Sequence, residues 1–364
     1  MTTFAERLYM ALPAEGNLFF SPASVESALG RAAIGARGNT RQQMLEGLGW
    51  SDGSDEALAD RLDAMERALT KSRDVTVEVA NRIWAEQSYR FSPTFMQLMQ
   101  QFAGMETADF LNNYDGERLN INRWVEQMTH DRIRDLLAEG SLDASTRMVL
   151  VNAIYFLGKW QYAFPKEETY DSSFYPADGG SVQIPFMNQT ATFGYTGADA
   201  YQALSMPYRG GLSRLVVLPT RGTSLREVEQ PVANQGISAV AKNLRQQKVE
   251  VYFPKTELGW GTFKINSALM ALGIEDAFSQ VAADFTGIDD GQRDLYIDGV
   301  YHKAWYKDDE EGTEAAAATA EVAESRSMGP NYPVFIANRP YMHMILAPNG
   351  QVMFMGRVTD PTKE

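Results

Sequence analysis

The spacing of apolar positions divides the chain into an early helical stretch and a late stretch of strands. Phe4, Leu8 and Leu12 share one helical face. Ser21-Pro22 opens a second helix, with serine as the cap and proline in the first turn, where its missing N–H is no loss. Val25, Leu29, Ala32 and Ala33 give that helix an apolar stripe. A third begins near Thr40, carries Met44, Leu45 and Leu48, and ends at Gly49. Residues 55–70 read as a charged amphipathic helix, and Ser92-Pro93 opens another that reaches Phe102. Leu119, Trp124, Met128, Ile133, Leu136 and Leu137 predict one long half-buried helix over residues 117–139.

Val75, Val77, Val79 and Ile83 alternate as in a strand. Residues 148–156 (MVLVNAIYF) form a continuous apolar run, the mark of a strand buried on both faces. Strand-like pieces follow at 201–207, 214–218, 248–253, 334–337, 342–346 and 352–358, interrupted by one helix at 265–272. Helices cluster early and strands late, with no repeat and no Gly-, Ser- or Pro-rich linker, which predicts an α+β fold. One segment fits neither pattern. Residues 308–330 (DDEEGTEAAAATAEVAESRSMGP) are acidic, then small, then polar, and lie between two strand candidates. A connection of that length without a bulky apolar anchor is usually functional or disordered.

Composition removes whole classes of function. The 47 acidic and 33 basic residues leave a net charge of −14, so the chain lacks the electrostatic footprint of a nucleic-acid or anionic-membrane binder. There is no Cys, which excludes disulfides, thiol nucleophiles and thiolate zinc sites. The start, MTTFAERLYM, has no continuous apolar run and does not read as a signal peptide. No stretch approaches the roughly 18 apolar residues of a membrane-spanning helix. The three His (His130, His302, His343) sit in no HExxH motif, and no phosphate loop, dinucleotide fingerprint or GxSxG elbow occurs. The pairs Asp289-Asp290 and Asp308-Asp309 read as solvated faces. Nothing in the chain points to an enzyme or to a cofactor.

Several stretches together resemble the serpin family of serine-protease inhibitors. They are NLFFSPASVESAL from Asn17, INRWVEQMTHDRIRDLL from Ile121, LVNAIYFLGKW from Leu150, VYHKA from Val300, EEGTEAAAATA from Glu310, FIANRPY from Phe335 and FMGRV from Phe354. They stand in the family's order along nearly the whole chain. The loop region, with its Arg-Ser pair and following Pro330, is particularly similar to that of antithrombin-type members.

The resemblance implies a single domain over 1–364: three β-sheets, about eight or nine helices, and an exposed reactive loop at about 310–333. It implies a suicide inhibitor, not an enzyme. A protease attacks the loop, whose first part then inserts as a new strand into the central sheet, a behaviour known for the family. Such a native state is metastable. An entering strand buries alternate side chains. From Thr313 the inward set is therefore Thr313, Ala315, Ala317, Thr319, Glu321 and Ala323, mostly small, with Gly312 as the pivot. Taken alone, TEAAAATAEVAE has the propensity of a helix; its place in the matched pattern makes it the loop hinge. Family members are cleaved fourteen or fifteen residues past the pivot, and fourteen past Gly312 is Arg326, followed by Ser327. An Arg there suits a trypsin-like protease, whose specificity pocket carries an Asp.

By the same resemblance Glu310 is the acid at the loop base, Lys255 its salt-bridge partner, and Trp160 the aromatic where the loop enters. Ser21, Ser24, Asn152 and His302 are the buried polar cluster beneath the sheet. The implied partner is an Arg-specific serine protease, and a monomer is expected. The family implies an extracellular setting; a native start at Met1 would imply the cytoplasm. Some positions depart from the family pattern. Glu321 would bring a carboxylate into the sheet, which costs several kcal/mol if unpaired. That favours the alternative of a non-inhibitory or substrate-like serpin acting as carrier, chaperone or structural partner. The charged YKDD at 306–309 is expected to fray its strand and mobilise the loop, and Thr256 stands where a larger residue is common. The helix at 55–70 is acidic where heparin-activated relatives are basic, so no heparin activation is expected.

Overall fold

The computed structural model describes residues 2–70, 75–102, 104–292, 294–312 and 332–363. The amino-terminal part runs α1 (Phe4–Ala11), β1 (Leu18–Phe20), α2 (Pro22–Gly35), α3 (Gly38–Leu48), α4 (Asp55–Thr70), β2 (Val75–Glu86), α5 (Pro93–Gln100), β3 (Met105–Ala108) and α6 (Phe110–Met128). β4 (Met148–Gly158), β5 (Tyr170–Phe174), β6 (Val182–Gly197), β7 (Tyr201–Pro207) and β8 (Ser213–Pro219) follow. Then come α7 (Leu225–Gln235), α8 (Ile237–Asn243), β9 (Arg245–Pro254), β10 (Thr256–Lys264), α9 (Asn266–Ala271) and β11 (Gly299–Asp308). β12 (Val334–Ile336), β13 (Tyr341–Leu346) and β14 (Val352–Val358) complete the chain. No described helix is long and apolar enough to cross a membrane.

Local chemistry sets several of these boundaries. The Ser21 hydroxyl accepts the Ser24 N–H at 3.1 Å and Pro22 occupies the first turn, so α2 starts where capping predicts. α3 stops at Gly49, whose φ of 71° is left-handed.

Five strands form one sheet in the order β10-β11-β4-β2-β3. The remaining nine are hydrogen-bonded in a second network. β6 is 16 residues long; its first part pairs with β5, its middle and end with β9, and its end with β7. One group (β5, β9, β12) and another (β7, β8, β13, β14, β1) thus share β6. With the five-stranded sheet they make up the three-sheet arrangement that the resemblance implies.

β4 explains its own apolar run. Met148, Leu150, Ile154 and Phe156 point to the side shared with α2 and the nine-stranded network, while Val149, Val151, Ala153 and Tyr155 point to the side covered by α6. Both faces are dry, so alternation disappears.

Two expectations are corrected. The long helix over 117–139 is α6, which begins earlier, with a break at Asn113, and ends at Met128. His130 and Asp131 turn left-handed (φ 48° and 62°), and Ile133, Leu136 and Leu137 are buried from an irregular return segment. Asn122 on α6 holds that segment, its side chain accepting the Leu137 N–H at 2.8 Å and donating to the Leu137 carbonyl at 2.9 Å. Burial was correctly periodic there, but side-chain amides replace the helical ladder. Among the described residues the late half carries three helices, not one. α7 was signalled by the Ser224/Glu227 capping box, in spite of Pro231 within the helix.

Replacing Asn122 by Ala leaves the buried Leu137 N–H and C=O without these partners. A loss of about 1–3 kcal/mol is expected, read as a lower midpoint in urea unfolding.

Candidate functional site

The seam between β11 and β4 is a parallel ladder, Gly299↔Val149 through Trp305↔Tyr155, while β10–β11 and β4–β2 are antiparallel. A chain that leaves the end of β11 and turns back must run antiparallel to it. β10 already covers one flank, so the only neighbouring slot lies against β4.

The turn is in place. Asp309 donates its N–H to the Gly312 carbonyl at 2.8 Å, and Gly312 donates back to the Asp309 carbonyl at 3.2 Å. The Asp309 carboxylate accepts the Glu311 N–H at 3.0 Å. Gly312 forms antiparallel bridges with both Asp309 and Lys159, which lies just past the end of β4. Its φ is 130°, and a Cβ there would lie 2.1 Å from the Gly158 carbonyl oxygen. Conformation and space both require glycine.

Lys255, Thr169 and Trp160 hold this loop root, and Lys166 pairs with the Glu311 carboxylate at 2.9 Å. The Lys255 ammonium donates to both Glu310 carboxylate oxygens, at 3.0 and 2.8 Å, and the Thr169 hydroxyl donates at 2.9 Å. Burial alone would raise the Glu310 carboxyl; the Lys255 contact and the other hydrogen bonds prevail and hold it below the ordinary value. Trp160 is buried, stacks on Tyr208 at 4.3 Å, and donates its indole N–H to the Asp309 carbonyl at 3.0 Å. Its own N–H goes to the Glu311 carbonyl at 2.9 Å. Glu310, Gly312, Lys255 and Trp160, widely separated in sequence, therefore converge on one point.

Lower on the seam, His302 and Asn152 stand directly opposite each other. The Ser21 N–H donates to His302 Nε2 at 3.1 Å, so the neutral ring carries its proton on Nδ1 and donates it to the Asn152 side-chain oxygen. The Asn152 amide donates to the Ser24 carbonyl at 3.1 Å and to the Ser24 hydroxyl, and Ser21 Oγ donates to the Met353 carbonyl at 2.7 Å. All four residues are buried. Burial holds the His302 pKa down to about 3.

Sequence reasoning missed Asn81, Tyr208 and Thr169. The Asn81 amide donates to the Ser24 carbonyl at 3.2 Å and to Ser27 Oγ at 3.0 Å. Its signal was a lone amide in the Val75, Val77, Val79, Ile83 register. The expected fraying at YKDD does not occur: β11 continues through Asp308, which is buried against Arg214 at 2.9 Å and accepts the Thr256 hydroxyl at 3.1 Å. Thr256 thus packs well because Asp308 is there. Asp289 is likewise buried, accepting the Gly291 and Gln292 N–H groups, so neither Asp pair is simply a solvated face. Thr313, Ala315, Ala317, Glu321, Arg326 and Ser327 lie outside the described residues.

The His302 shift gives a pH dependence. Between its ordinary 6.5 and about 3, the unfolded chain binds the extra proton, so stability is fully present above 6.5 and falls as pH drops. The slope contributed is at most about 1.4 kcal/mol per pH unit. His302→Gln should flatten the fall in urea midpoint between neutral and acid pH. His343, also held neutral by burial, leaves a residual slope.

The family described as "Serpin (serine protease inhibitor)" matches residues 1–361. The leukocyte elastase inhibitor of Sus scrofa is 37% identical over 377 residues, covering 99% of this chain and 98% of that protein. Antithrombin-III of Homo sapiens is 32% identical over 374 residues, covering 99% and 80%. Among solved structures, a highly specific serpin of the insect Tenebrio molitor superposes with a TM-score of 0.87 at 28% identity, covering 98% of this chain and 96% of that one. The thermophilic serpin tengpin in its native state gives 0.88 at 27% identity, covering 98% and 92%. With its parallel seam, glycine turn and buried histidine cluster, this chain belongs to the serpin family and is a serine-protease inhibitor of that type, not an enzyme.

Proposed function

We propose that this chain is a suicide inhibitor of trypsin-like serine proteases, cleaved between Arg326 and Ser327. The observation that carries the reading is Gly312, bridged to both flanks at the mouth of the seam. The first residue of the loop already stands where an inserted strand would begin. Protease serine Oγ attacks the Arg326 carbonyl carbon, the C–N bond to Ser327 breaks, and the Ser327 amine leaves with a proton. Arg326 remains as an ester on the protease. The freed segment from Thr313 then enters between β11 and β4.

Energetics favour that entry. One parallel ladder is exchanged for two antiparallel ones, and parallel pairing is the slightly weaker kind. The fourteen residues from Thr313 to Arg326 span about 46 Å as a strand. β4 has 11 residues, about 36 Å at the same rise, so the attached protease is carried to the far end of the sheet. Displacing its catalytic groups by even 1 Å costs orders of magnitude in hydrolysis. The native form is therefore held kinetically, by a barrier.

The elastase inhibitors among the relatives are named for a different protease. Elastase has a small specificity pocket, whereas trypsin's carries an Asp that pairs with Arg, and Arg326 favours the latter. Glu321 supports a second reading, an inhibitor that is partly turned over as a substrate by this protease, because its carboxylate would enter the sheet with the loop. No nucleic acid, membrane or second copy is required by either reading.

Titrating trypsin with the protein and running a denaturing gel separates them. An SDS-stable adduct with a released fragment beginning at Ser327 is expected; clean cleavage without adduct would leave the substrate-like reading. α4 carries Asp55, Glu56, Asp60, Asp63 and Glu66 against Arg61 and Arg67, so heparin at physiological salt should leave the rate of trypsin inhibition unchanged within about two-fold.

A further inference from the structure

Four residues before the pivot glycine, β11 ends in a buried ionic network joining three strands of two sheets. Arg214 on β8 and Asp308 on β11 are both fully buried, with a 2.9 Å contact between guanidinium and carboxylate. Arg214 also donates to His343 Nδ1 on β13 at 2.7 Å and to the Tyr208 hydroxyl at 3.3 Å. Its guanidinium lies 4.6 Å over the Tyr306 ring. His343 stacks on Phe19 at 5.5 Å, and Gly356 leaves room for its Nε2, which would lie 3.0 Å from a Cβ there. Thr256, directly opposite Asp308 on β10, donates to the second carboxylate oxygen. The other titratable groups against the network are Tyr341 on β13 and Asp309 beyond β11.

This arrangement is costly. Arg214 Nε, His343 Nε2 and the Tyr341 hydroxyl have no hydrogen-bond partner among the described residues. Burial lifts the Asp308 carboxyl to about 6 against the pull of Arg214 and Thr256. Burial also opposes the Arg214 charge, which Asp308 more than restores. Replacing a buried ion pair by well-packed apolar residues of similar volume is often neutral or stabilising. What an apolar replacement lacks is direction. Hydrocarbon contacts tolerate a shift of one strand past another; a guanidinium bound on three sides does not.

Position gives that directionality a use. Ladder pairing with β4 stops at Trp305, so Asp308 lies beyond the seam and is held only from β10 and from the nine-stranded network. Among the described residues the Asp308 side chain meets Arg214 of the nine-stranded network and Thr256 of β10, not β4.

We propose that Arg214, acting through Asp308 with His343 behind it, is a positioning residue for inhibition: it rivets the end of β11 to the nine-stranded network. The loop root then stays registered, and the seam opens only by withdrawal of β4 once the loop is cut. Without the rivet, the end of β11 drifts, and the uncut loop slips into the seam and is lost to inhibition. This inference rests on the insertion reading above.

The test uses the full chain warmed at physiological temperature and sampled on urea-gradient gels, where a loop-inserted form resists unfolding. The double variant Arg214→Met with Asp308→Val should keep or raise the urea midpoint of the native form. Its half-life before conversion to the uncut, urea-resistant form should shorten about five-fold or more. An unchanged half-life overturns the proposal. So does a shortened half-life with a matching fall in midpoint, since the pair would then act through stability alone. Should the double variant not fold, Arg214→Gln with Asp308→Asn, which keeps polar side chains and removes both charges, is read by the same criteria. Trypsin-cut unaltered protein on the same gels is the control. If cutting produces no urea-resistant form, the insertion reading itself fails; if it does and the variants behave as the unaltered protein, only the rivet fails.

Discussion

The structure turns on one ladder, the parallel pairing of β11 with β4. Every feature of the site closes, guards or points into that seam. His302 and Asn152 join it from below across directly opposed positions. Trp160 and the Lys255–Glu310 pair secure its upper end, and Gly312 stands at its mouth. Two parallel strands side by side can accept a third, antiparallel to both, without reversing either. The sheet is therefore complete as it stands and still able to grow by one strand.

If the loop inserts as proposed, the uncut state has to be protected by a barrier, because the inserted form has more hydrogen-bonded pairs. With no Cys in the chain, no covalent bond supplies it. Polar contacts carry it, and they are well suited to the task. A buried hydrogen bond adds little net stability when made and costs its full desolvation when broken. The His302 cluster is the clearest case. Parting the strands breaks the His302–Asn152 hydrogen bond and, when β4 withdraws, takes the Asn152 amide from the Ser24 hydroxyl, all in a buried site.

The same logic separates the two buried polar groups of the fold. The His302 cluster crosses the seam and must come apart when the sheet opens. The Arg214–Asp308 network lies to one side, tying β11 to the nine-stranded network. On the proposed insertion, the first would resist opening and the second would direct it. The acidity around the loop root fits neither role through bulk charge; Glu310 and Asp308 each act through one cationic partner at short range.

How much was legible in the sequence followed from how local each signal was. The caps at Ser21, the apolar run of β4 and the glycine stops are written in adjacent residues, and they were read correctly. Family motifs placed Lys255, Trp160 and Glu310 together before any coordinates, though propensity alone would have made the loop a helix. The return segment after Met128 was misread because buried leucines keep their spacing even when Asn122, and not a helical ladder, satisfies the backbone. The end of β11 was misread for a related reason. Read along the chain, YKDD is a charged strand end that should fray. In the folded chain Asp308 meets an arginine 94 residues earlier and a threonine that had itself looked out of place. By itself the sequence determined most of the elements and the family. Only the tertiary structure decided which charges are solvated and which are paired, because that depends on partners that distance along the chain does not reveal.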